Sequence, residues 1–330
     1  MGGDNAPAVV VEGAVRAVQQ ATAPLHVLLF GPEAPLRATL DAVDGAAAAA
    51  SAIEIVDAPD VIGMAEAPVA AVKAKPNSSI HLGLGAHRQG HADAFLSAGN
   101  TGATMAASLF ILGRLPGVAR PSISTYYPTT KGVCLVLDVG SNMDSKPEHL
   151  LQFAQMGSIY AQRLLNVEEP AVGLLNVGEE PGKGNELVKA AYPLLEHAPD
   201  LRFVGNVEGR DIMHHRADVV VCDGFVGNVV LKLGESIMTA LVEMIYQEMA
   251  AHGLAPEQQQ TIRQVFGSLQ KRFNPEEYGG GAPLLGVDGT VFIGHGSSSA
   301  RAIERLILMA ARAASLDLTR SIADAFQAPA

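Results

Sequence analysis

Short apolar runs rich in Val, Ile and Leu alternate, along nearly the whole chain, with segments whose apolar residues recur at helical spacing. The runs predict β-strands and the spaced segments predict helices. Strands that alternate with helices indicate βαβ units with right-handed crossovers. We therefore expect an α/β fold with a mainly parallel sheet flanked by helices. The strands are predicted at 25–30, 53–56, 94–99, 132–140, 171–178, 202–207, 218–224 and 290–296, and the helices at 8–20, 101–113, 147–165, 184–197 and 300–314.

One region, residues 229–273, breaks this alternation. Two helical patterns follow each other there without an apolar run between them, and Gly253 to Pro256 supply the turn. We expect a helical hairpin within one α/β domain spanning residues 1–330, since no linker rich in Pro, Ser or charge marks a boundary. Its first arm carries an apolar stripe that either packs in the core or, in our preferred interpretation, forms a homodimer interface. The stripe comprises Val229, Val230, Leu233, Ile237, Leu241, Met244 and Ile245.

The composition is that of a globular protein, with 48% hydrophobic and 17% charged residues. A net charge of −11 disfavours nucleic acid as a partner and requires local backbone N–H groups or a few cations to hold any anion. No apolar run reaches the roughly 18 residues of a membrane span, and no signal pattern opens the chain. We expect a cytoplasmic protein that at most touches a membrane surface. Cys134 and Cys222 lie in strand-like runs and predict buried, reduced thiols.

Asn, Asp, Gly and charged residues recur directly after the predicted strands. Ligands of parallel α/β sheets bind at the carboxyl ends of the strands, so these residues predict one shared polar crevice. Each residue also has a simpler explanation, because Asn, Asp and Gly commonly form turns and helix N-caps. The candidates for phosphate or substrate contact are Asn100, Thr101, Gly102, Asp138, Asn142, Asn176, Glu180, Lys183, Asn185, Asn206, Asp223, Gly224 and Asn228.

The segment EEPGKGN, residues 179–185, is the most specific of these loops. Its glycines allow the backbone to approach a ligand closely, and Lys183 supplies a cation just before a predicted helix, as a phosphate site needs. The loop is not a Walker motif, and a dinucleotide-binding Gly-x-Gly-x-x-Gly is also missing, which disfavours NAD. His87 and His91 have metal-ligand spacing but lack a third ligand, so they indicate solvent-facing or capping histidines. We predict neither a metal nor a cofactor.

Several longer motifs resemble those of one bacterial enzyme family. They run in order from MGGDNAP through SAGNTGA, LDVGSNMDSKPEHLLQFAQMG, GLLNVGEEPGKGNELVKAAYPLL, FVGNVEGRDI and DVVVCDGFVGNVVLKLGES to GVDGTVFIGHGSSSARAI. The chain resembles the phosphate acyltransferases of phospholipid synthesis, which transfer an acyl group from acyl carrier protein to inorganic phosphate. The resemblance implies a fold like that of phosphotransacetylase and isopropylmalate dehydrogenase.

The resemblance also implies partners. These are acyl carrier protein as donor, inorganic phosphate as acceptor, a second copy in a homodimer, the membrane surface, and a glycerol-3-phosphate acyltransferase that uses the acyl phosphate. Arg263, Lys271 and Arg272 are rare cations in this acidic chain and are candidates for docking the acidic carrier protein.

The sequence has no Gly-x-Ser-x-Gly or Cys/His arrangement that would supply a nucleophile. This agrees with the reaction, because phosphate is itself the nucleophile and the thiolate is the leaving group. We expect Lys183 to hold phosphate or stabilise the oxyanion, with Asn228 and Asn185 as amide donors. Asp223 and Glu180 either orient Lys183 or act as acid or base. Two alternatives stay open: a phosphotransacetylase-like enzyme that uses acetyl-coenzyme A, and a non-catalytic acyl- or nucleotide-binding protein.

Members of the family normally carry a short strand of the type Ile-Ala-x-Asp-Ala directly before Met-Gly-Gly-Asp, and this sequence starts at that Met. We therefore expect a gap in the parallel sheet, with unpaired strand edges and exposed apolar surface.

Overall fold

The structure is a computed structural model that describes residues 1–274 and 277–327. Within these ranges strands and helices alternate over much of the chain. The strands are β1 (Val27–Gly31), β2 (Ile53–Asp57), β3 (Phe95–Ser97), β4 (Ser122–Pro128), β5 (Val133–Leu137), β6 (Ala171–Leu175), β7 (Arg202–Val207), β8 (Val219–Val221), β9 (Gly281–Leu285) and β10 (Val291–Gly294).

Helices follow most strands, and five of them begin with a side chain that caps the first turn: Ser78, Asn100, Asn185, Asp223 and Ser299. The helices are α1 (Ala8–Gln20), α2 (Glu33–Ala42), α3 (Ala46–Ala49), α4 (Pro68–Ala74), α5 (Ser79–Arg88), α6 (Thr101–Ile111), α7 (Pro147–Leu164), α8 (Glu186–Glu196), α9 (Gly209–Met213), α10 (Gly224–Ala251), α11 (Pro256–Arg272), α12 (Ala300–Ser315) and α13 (Leu318–Gln327).

Eight strands form one sheet in the order β3-β10-β9-β4-β5-β8-β6-β7, and β1 pairs with β2 in a separate parallel pair. The predicted α/β class with a mainly parallel sheet is confirmed. The pattern did not predict β4 and β9, which pair antiparallel with their neighbours. Their sequences, SISTYYP and GAPLL, contain Ser, Thr, Gly and Pro where a buried parallel strand would carry Val and Ile.

These two antiparallel strands reverse the direction of the sheet. As a result β3 and β10 run opposite to β5, β8, β6 and β7, and their carboxyl ends lie at the opposite edge. The loops after the strands are therefore divided between two edges. This division decides which of the predicted site residues are neighbours.

The predicted hairpin is present as α10 and α11. Val226 and Val230 at the start of α10 pack against the core of the sheet, whereas most of the predicted stripe is exposed. By length and composition alone α10 is long and apolar enough to cross a membrane, with a mean hydropathy of 1.4, which corrects our expectation that no segment reaches that limit.

A groove of about 640 Å³ separates β1 from β3. β1 pairs only with β2 and β3 pairs only with β10, so each strand has one open edge. Successive residues of both strands line the groove. Since successive side chains point to opposite faces of a strand, this shows that the groove lies along the edges of β1 and β3. Side chains of α5 and α12 also line it.

Candidate functional site

Four strands deliver polar loops to one edge of the sheet. β5, β8, β6 and β7 are consecutive and parallel, so the residues that follow them lie side by side. The first polar residue of each loop is Asp138 after β5, Asp223 after β8 and Asn176 after β6, while Asn206 is the penultimate residue of β7. The structure thus brings together ten of the predicted site residues: Asp138, Asn142, Asn176, Glu180, Lys183, Asn185, Asn206, Asp223, Gly224 and Asn228.

The loop that carries Lys183 is held through its backbone. The side-chain amide of Asn176 donates to the Lys183 carbonyl at 3.0 Å, and that of Asn206 donates to the Glu180 carbonyl at 2.8 Å. Gly184 has a φ of +95°, which favours glycine. The Lys183 side chain itself is exposed and has no ion-pair or hydrogen-bond partner in the described part of the chain. Its ammonium group is therefore available to an anion.

Two other side-chain amides were predicted as donors, Asn185 at the end of this loop and Asn228 on α10. Asn185 caps α8 through its side-chain oxygen, which accepts from the Val188 N–H at 2.9 Å, so its NH₂ group stays free to donate. Asn228, in the first turn of α10, is half-buried and packs 3.6–3.7 Å from the position that a Cβ on Gly140 would take. Their role as donors to the substrate stays a prediction.

The first turn of α10 is already satisfied within the protein. The Asp223 carboxylate accepts from the N–H groups of Phe225 and Val226, each at 3.0 Å, and the Gly224 N–H donates to the Asn142 carbonyl at 2.8 Å. This helix N-terminus therefore offers no free N–H group at those positions for phosphate.

Asp138 and Asn142 point inward, which corrects our prediction that they contact the substrate. Asp138 is 0% exposed, and its carboxylate accepts hydrogen bonds from Ser141 and Asn142. Burial raises the pKa of Asp138, and these hydrogen bonds act in the opposite direction. The Asn142 side chain also donates to the Pro121 carbonyl at 2.8 Å. The Asp138 carboxylate and the Asn142 NH₂ group therefore make their hydrogen bonds inside the protein.

Asn100, Thr101 and Gly102 lie at the other edge of the sheet, after β3, so one chain does not form the single crevice that we predicted. The Asn100 side chain caps α6 through the Ala103 N–H at 3.0 Å. Its NH₂ group donates to three carbonyls of residues 63–66. The Asn100 side chain therefore caps a helix and holds residues 63–66 in place, which agrees with the simpler explanation that Asn forms turns and N-caps.

Arg210 is a polar residue of this edge that the sequence analysis missed. It lies 2.9 Å from Glu208 and 3.8 Å from Glu179, which also faces Arg216 at 3.8 Å. Arg210 lies three residues after the end of β7, and this position after a strand could have identified it from the sequence. Glu179 at the start of the loop therefore lies between these two arginines.

His87 and the two cysteines have structural roles. His87 accepts from the Thr290 N–H at 3.0 Å and contacts the Ala92 carbonyl, as a capping residue does. Within residues 1–274 and 277–327 no three His, Cys, Asp or Glu side chains are grouped to hold a metal ion. Cys134 and Cys222 are free and buried, as predicted.

We expect both thiols to be inert in the native protein. Burial raises the pKa of Cys134 and of Cys222, so the reactive thiolate is scarce at neutral pH. Titration with a thiol reagent at pH 8 should detect no reactive thiol before denaturation and two afterwards. Rapid modification of either cysteine in the folded protein would contradict this burial.

Comparison with known proteins assigns the family. The profile described as "Fatty acid synthesis protein" matches residues 1–320. The chain belongs to this family. A phosphate acyltransferase from Salinibacter ruber is 55% identical over 327 residues, with 99% of this chain and 96% of the relative covered. One from Desulforamulus reducens is 46% identical over 328 residues, again covering 99% and 96%.

The fold of this chain is similar to that of solved phosphotransacetylase structures. A phosphotransacetylase from Streptococcus pyogenes superposes with a TM-score of 0.62 at 18% identity, covering 94% of this chain and 92% of that one. A branched-chain phosphotransacylase from Enterococcus faecalis gives 0.57 at 14% identity, covering 95% and 97%. The predicted phosphotransacetylase-like fold is therefore confirmed.

Proposed function

We propose that this enzyme transfers a fatty acyl group from acyl carrier protein to inorganic phosphate and releases acyl phosphate and the free carrier thiol. The observation that carries the proposal is the unpaired ammonium group of Lys183, in a glycine-containing loop at the carboxyl ends of parallel strands. Relatives that are named phosphate acyltransferases and cover nearly the whole chain support the same reaction.

The residues of the Lys183 loop and its neighbours suffice for this chemistry. A phosphate oxygen attacks the thioester carbonyl carbon, the C–S bond breaks, and the thiolate leaves with the carrier protein. The protein has to orient phosphate and stabilise charge on the carbonyl oxygen. We assign the phosphate or the oxyanion to Lys183, with the free NH₂ groups of Asn185 and Asn228 as further donors. Glu180 and Asp223 keep the two roles proposed for them, either to orient Lys183 or to act as acid or base.

The acyl donor separates this proposal from a phosphotransacetylase-like alternative. Turnover should be compared with a palmitoyl group on acyl carrier protein, palmitoyl-coenzyme A and acetyl-coenzyme A, each with saturating phosphate. We expect the highest kcat/KM with the carrier protein. A higher kcat/KM with acetyl-coenzyme A would support the alternative, and no turnover with any donor would support a binding protein.

We propose that the end of α11 docks the carrier protein. Lys271 is exposed and Arg272 donates to the Thr130 carbonyl at 2.9 Å, so two cations lie together near the body of the domain. Arg263 lies over the ring of Tyr246 at 5.4 Å, which joins the two arms of the hairpin. The carrier protein is acidic, so a cationic patch would speed association.

Reversing these charges should weaken use of the carrier protein. For the Lys271→Glu and Arg272→Glu double variant we expect kcat/KM to fall about tenfold at low salt, mainly through the association rate, and less at high salt. Lys189→Glu, on exposed α8, is the matched control. If the double variant keeps the parental kcat/KM and salt dependence, the docking site lies elsewhere.

We propose that the exposed stripe of α10 joins two copies of the chain. Its side chains recur at intervals of three or four residues, and a helix face can cover the same face of a second copy around a twofold axis. Family resemblance supports the same arrangement. The exposed members are Val229, Leu233, Ile237, Leu241 and Met244, with exposed fractions from 41% to 61%.

A charge in this stripe should separate the copies. For Leu233→Asp we expect sedimentation as a monomer, because a carboxylate would be buried without a partner. Leu233→Met, which keeps the apolar face, should sediment as the parent does. An unchanged dimer in Leu233→Asp would exclude this face as the interface.

We further propose a cytoplasmic location with peripheral membrane contact at the tip of the hairpin, where the turn at Gly253–Pro256 is mildly apolar. Acyl phosphate made there would pass to a glycerol-3-phosphate acyltransferase. Flotation with anionic vesicles tests the membrane contact.

A further inference from the structure

The Asp138 carboxylate organises the loop that follows β5. Its Oδ1 accepts from the Ser141 N–H at 3.1 Å and from the Ser141 hydroxyl at 2.6 Å. Its Oδ2 accepts from the Asn142 N–H at 2.6 Å and from the Asn142 side-chain amide at 2.8 Å. Four donors around one carboxylate match the acceptor-only ionised form. The group shapes residues 138–142 and has no lone pair directed at a ligand.

The start of α10 packs directly against this loop. The Asn142 carbonyl accepts the Gly224 N–H at 2.8 Å, and the Cys222 thiol donates to the Asp138 carbonyl at 3.6 Å. A Cβ on Gly224 would lie 2.7 Å from the Asn142 carbonyl oxygen. A Cβ on Gly227 would overlap the Asp138 carbonyl oxygen. The two glycines therefore let the helix backbone lie directly on the loop.

The same loop bounds Asn228. Gly140 has a φ of +126°, and a Cβ built there would come within 3.7 Å of the Asn228 side chain. A shift of residues 138–142 would therefore move both the first turn of α10 and Gly140, which lies beside the Asn228 side chain. Small displacements of a donor are costly in catalysis, because stabilisation of an oxyanion depends on position within fractions of an ångström.

We propose that Asp138 is a positioning residue that fixes the first turn of α10, and with it the Asn228 amide, for the transfer of the acyl group to phosphate. The inference rests on the proposed function, but the placement of the turn is testable without it. Asp138 acts through the backbone of Ser141 and Asn142 and contacts no substrate.

Two measurements on Asp138→Asn test this role. Asparagine replaces one carboxylate oxygen, which accepts two hydrogen bonds, by an NH₂ group that faces two of the four donors, so the loop loses part of its anchor. We expect kcat to fall roughly tenfold to a hundredfold with little change in the KM for phosphate. In an Asn228→Ala background the same substitution should lower kcat by less than about threefold, because the two changes act on one donor. Asp144→Asn, the same change at an exposed residue of the same segment, is the matched control that leaves the Asp138 bonds and the Asn142 carbonyl intact.

Hydrogen exchange supplies the second measurement. In Asp138→Asn the peptides covering 138–146 and 222–230 should exchange faster than in the parent, while peptides of α7 and α12 should not change. Equal effects of Asp138→Asn on kcat in both backgrounds, or unchanged exchange at 222–230, would overturn the proposal. If the parent shows no phosphate-dependent turnover, the proposed function fails, and exchange at 222–230 alone still decides whether Asp138 holds the turn.

Discussion

Lys183→Ala is expected to lose phosphate-dependent turnover by a factor on the order of 10²–10³ while the protein stays folded. The side chain is exposed and makes no hydrogen bond or ion pair within the described residues, so its removal leaves the packing of the domain intact. The protein carries a net charge of −11, and a phosphate dianion would otherwise meet a repulsive field at this edge. Steady-state assays of thiol release from acyl carrier protein measure the loss.

The control for this experiment is Lys189→Ala. Lys189 is also exposed, lies on the neighbouring helix α8, and faces Glu186 at 3.9 Å. It should keep the parental rate, because its charge is already paired and lies outside the loop. Lys183→Arg keeps the charge but changes its geometry and should recover part of the activity. Parental turnover in Lys183→Ala would remove this residue from the mechanism.

A chain extended before Met1 by a short strand of the type Ile-Ala-x-Asp-Ala should be more stable, with a melting temperature higher by roughly 5 °C. We propose that an extended segment fills the groove between β1 and β3 and joins the two sheets. The open edges of both strands face this groove, and Met1 lines it with an amine whose pKa is lowered by burial. A net gain of about 3–4 kcal/mol would suffice, since an unfolding entropy of about 2.1 cal/mol/K per residue over 330 residues gives roughly 1.4 °C per kcal/mol.

A second extension of equal length made of Gly and Ser separates strand pairing from a simple effect of length. It should leave the melting temperature near that of the unextended chain, because it offers no apolar side chains to α5 and α12. Equal melting temperatures for all three proteins would show that the groove does not accept a strand.

The sequence predicted the fold best where the hydrophobic signal was strong. The runs at 171–178 and 218–224 became β6 and β8, which are buried on both faces. β4 and β9 were missed, since polar and glycine-rich strands lack that signal, and the reversal of the sheet depends on them. Strand direction is a property of long-range pairing, so local patterns do not determine it.

The candidate site shows the same limit at the level of single residues. Residue type and position after a strand identified Lys183 and Asn228 as well as Asp138 and Asn100. Their hydrogen bonds distinguish the two kinds of residue. The polar atoms of Asp138 and Asn100 are hydrogen-bonded within the protein, whereas the Lys183 ammonium group has no partner among the described residues. A polar residue after a strand therefore indicates either a ligand or a cap, and its partners decide which.

The central claim is that phosphate accepts the acyl group. The most direct measurement supplies palmitoyl-acyl carrier protein with ³²P-labelled phosphate and counts labelled acyl phosphate against free carrier thiol. The account predicts one acyl phosphate for each thiol released, and no release above background when phosphate is omitted. Thiol release at the same rate without phosphate, or release without labelled acyl phosphate, would contradict it.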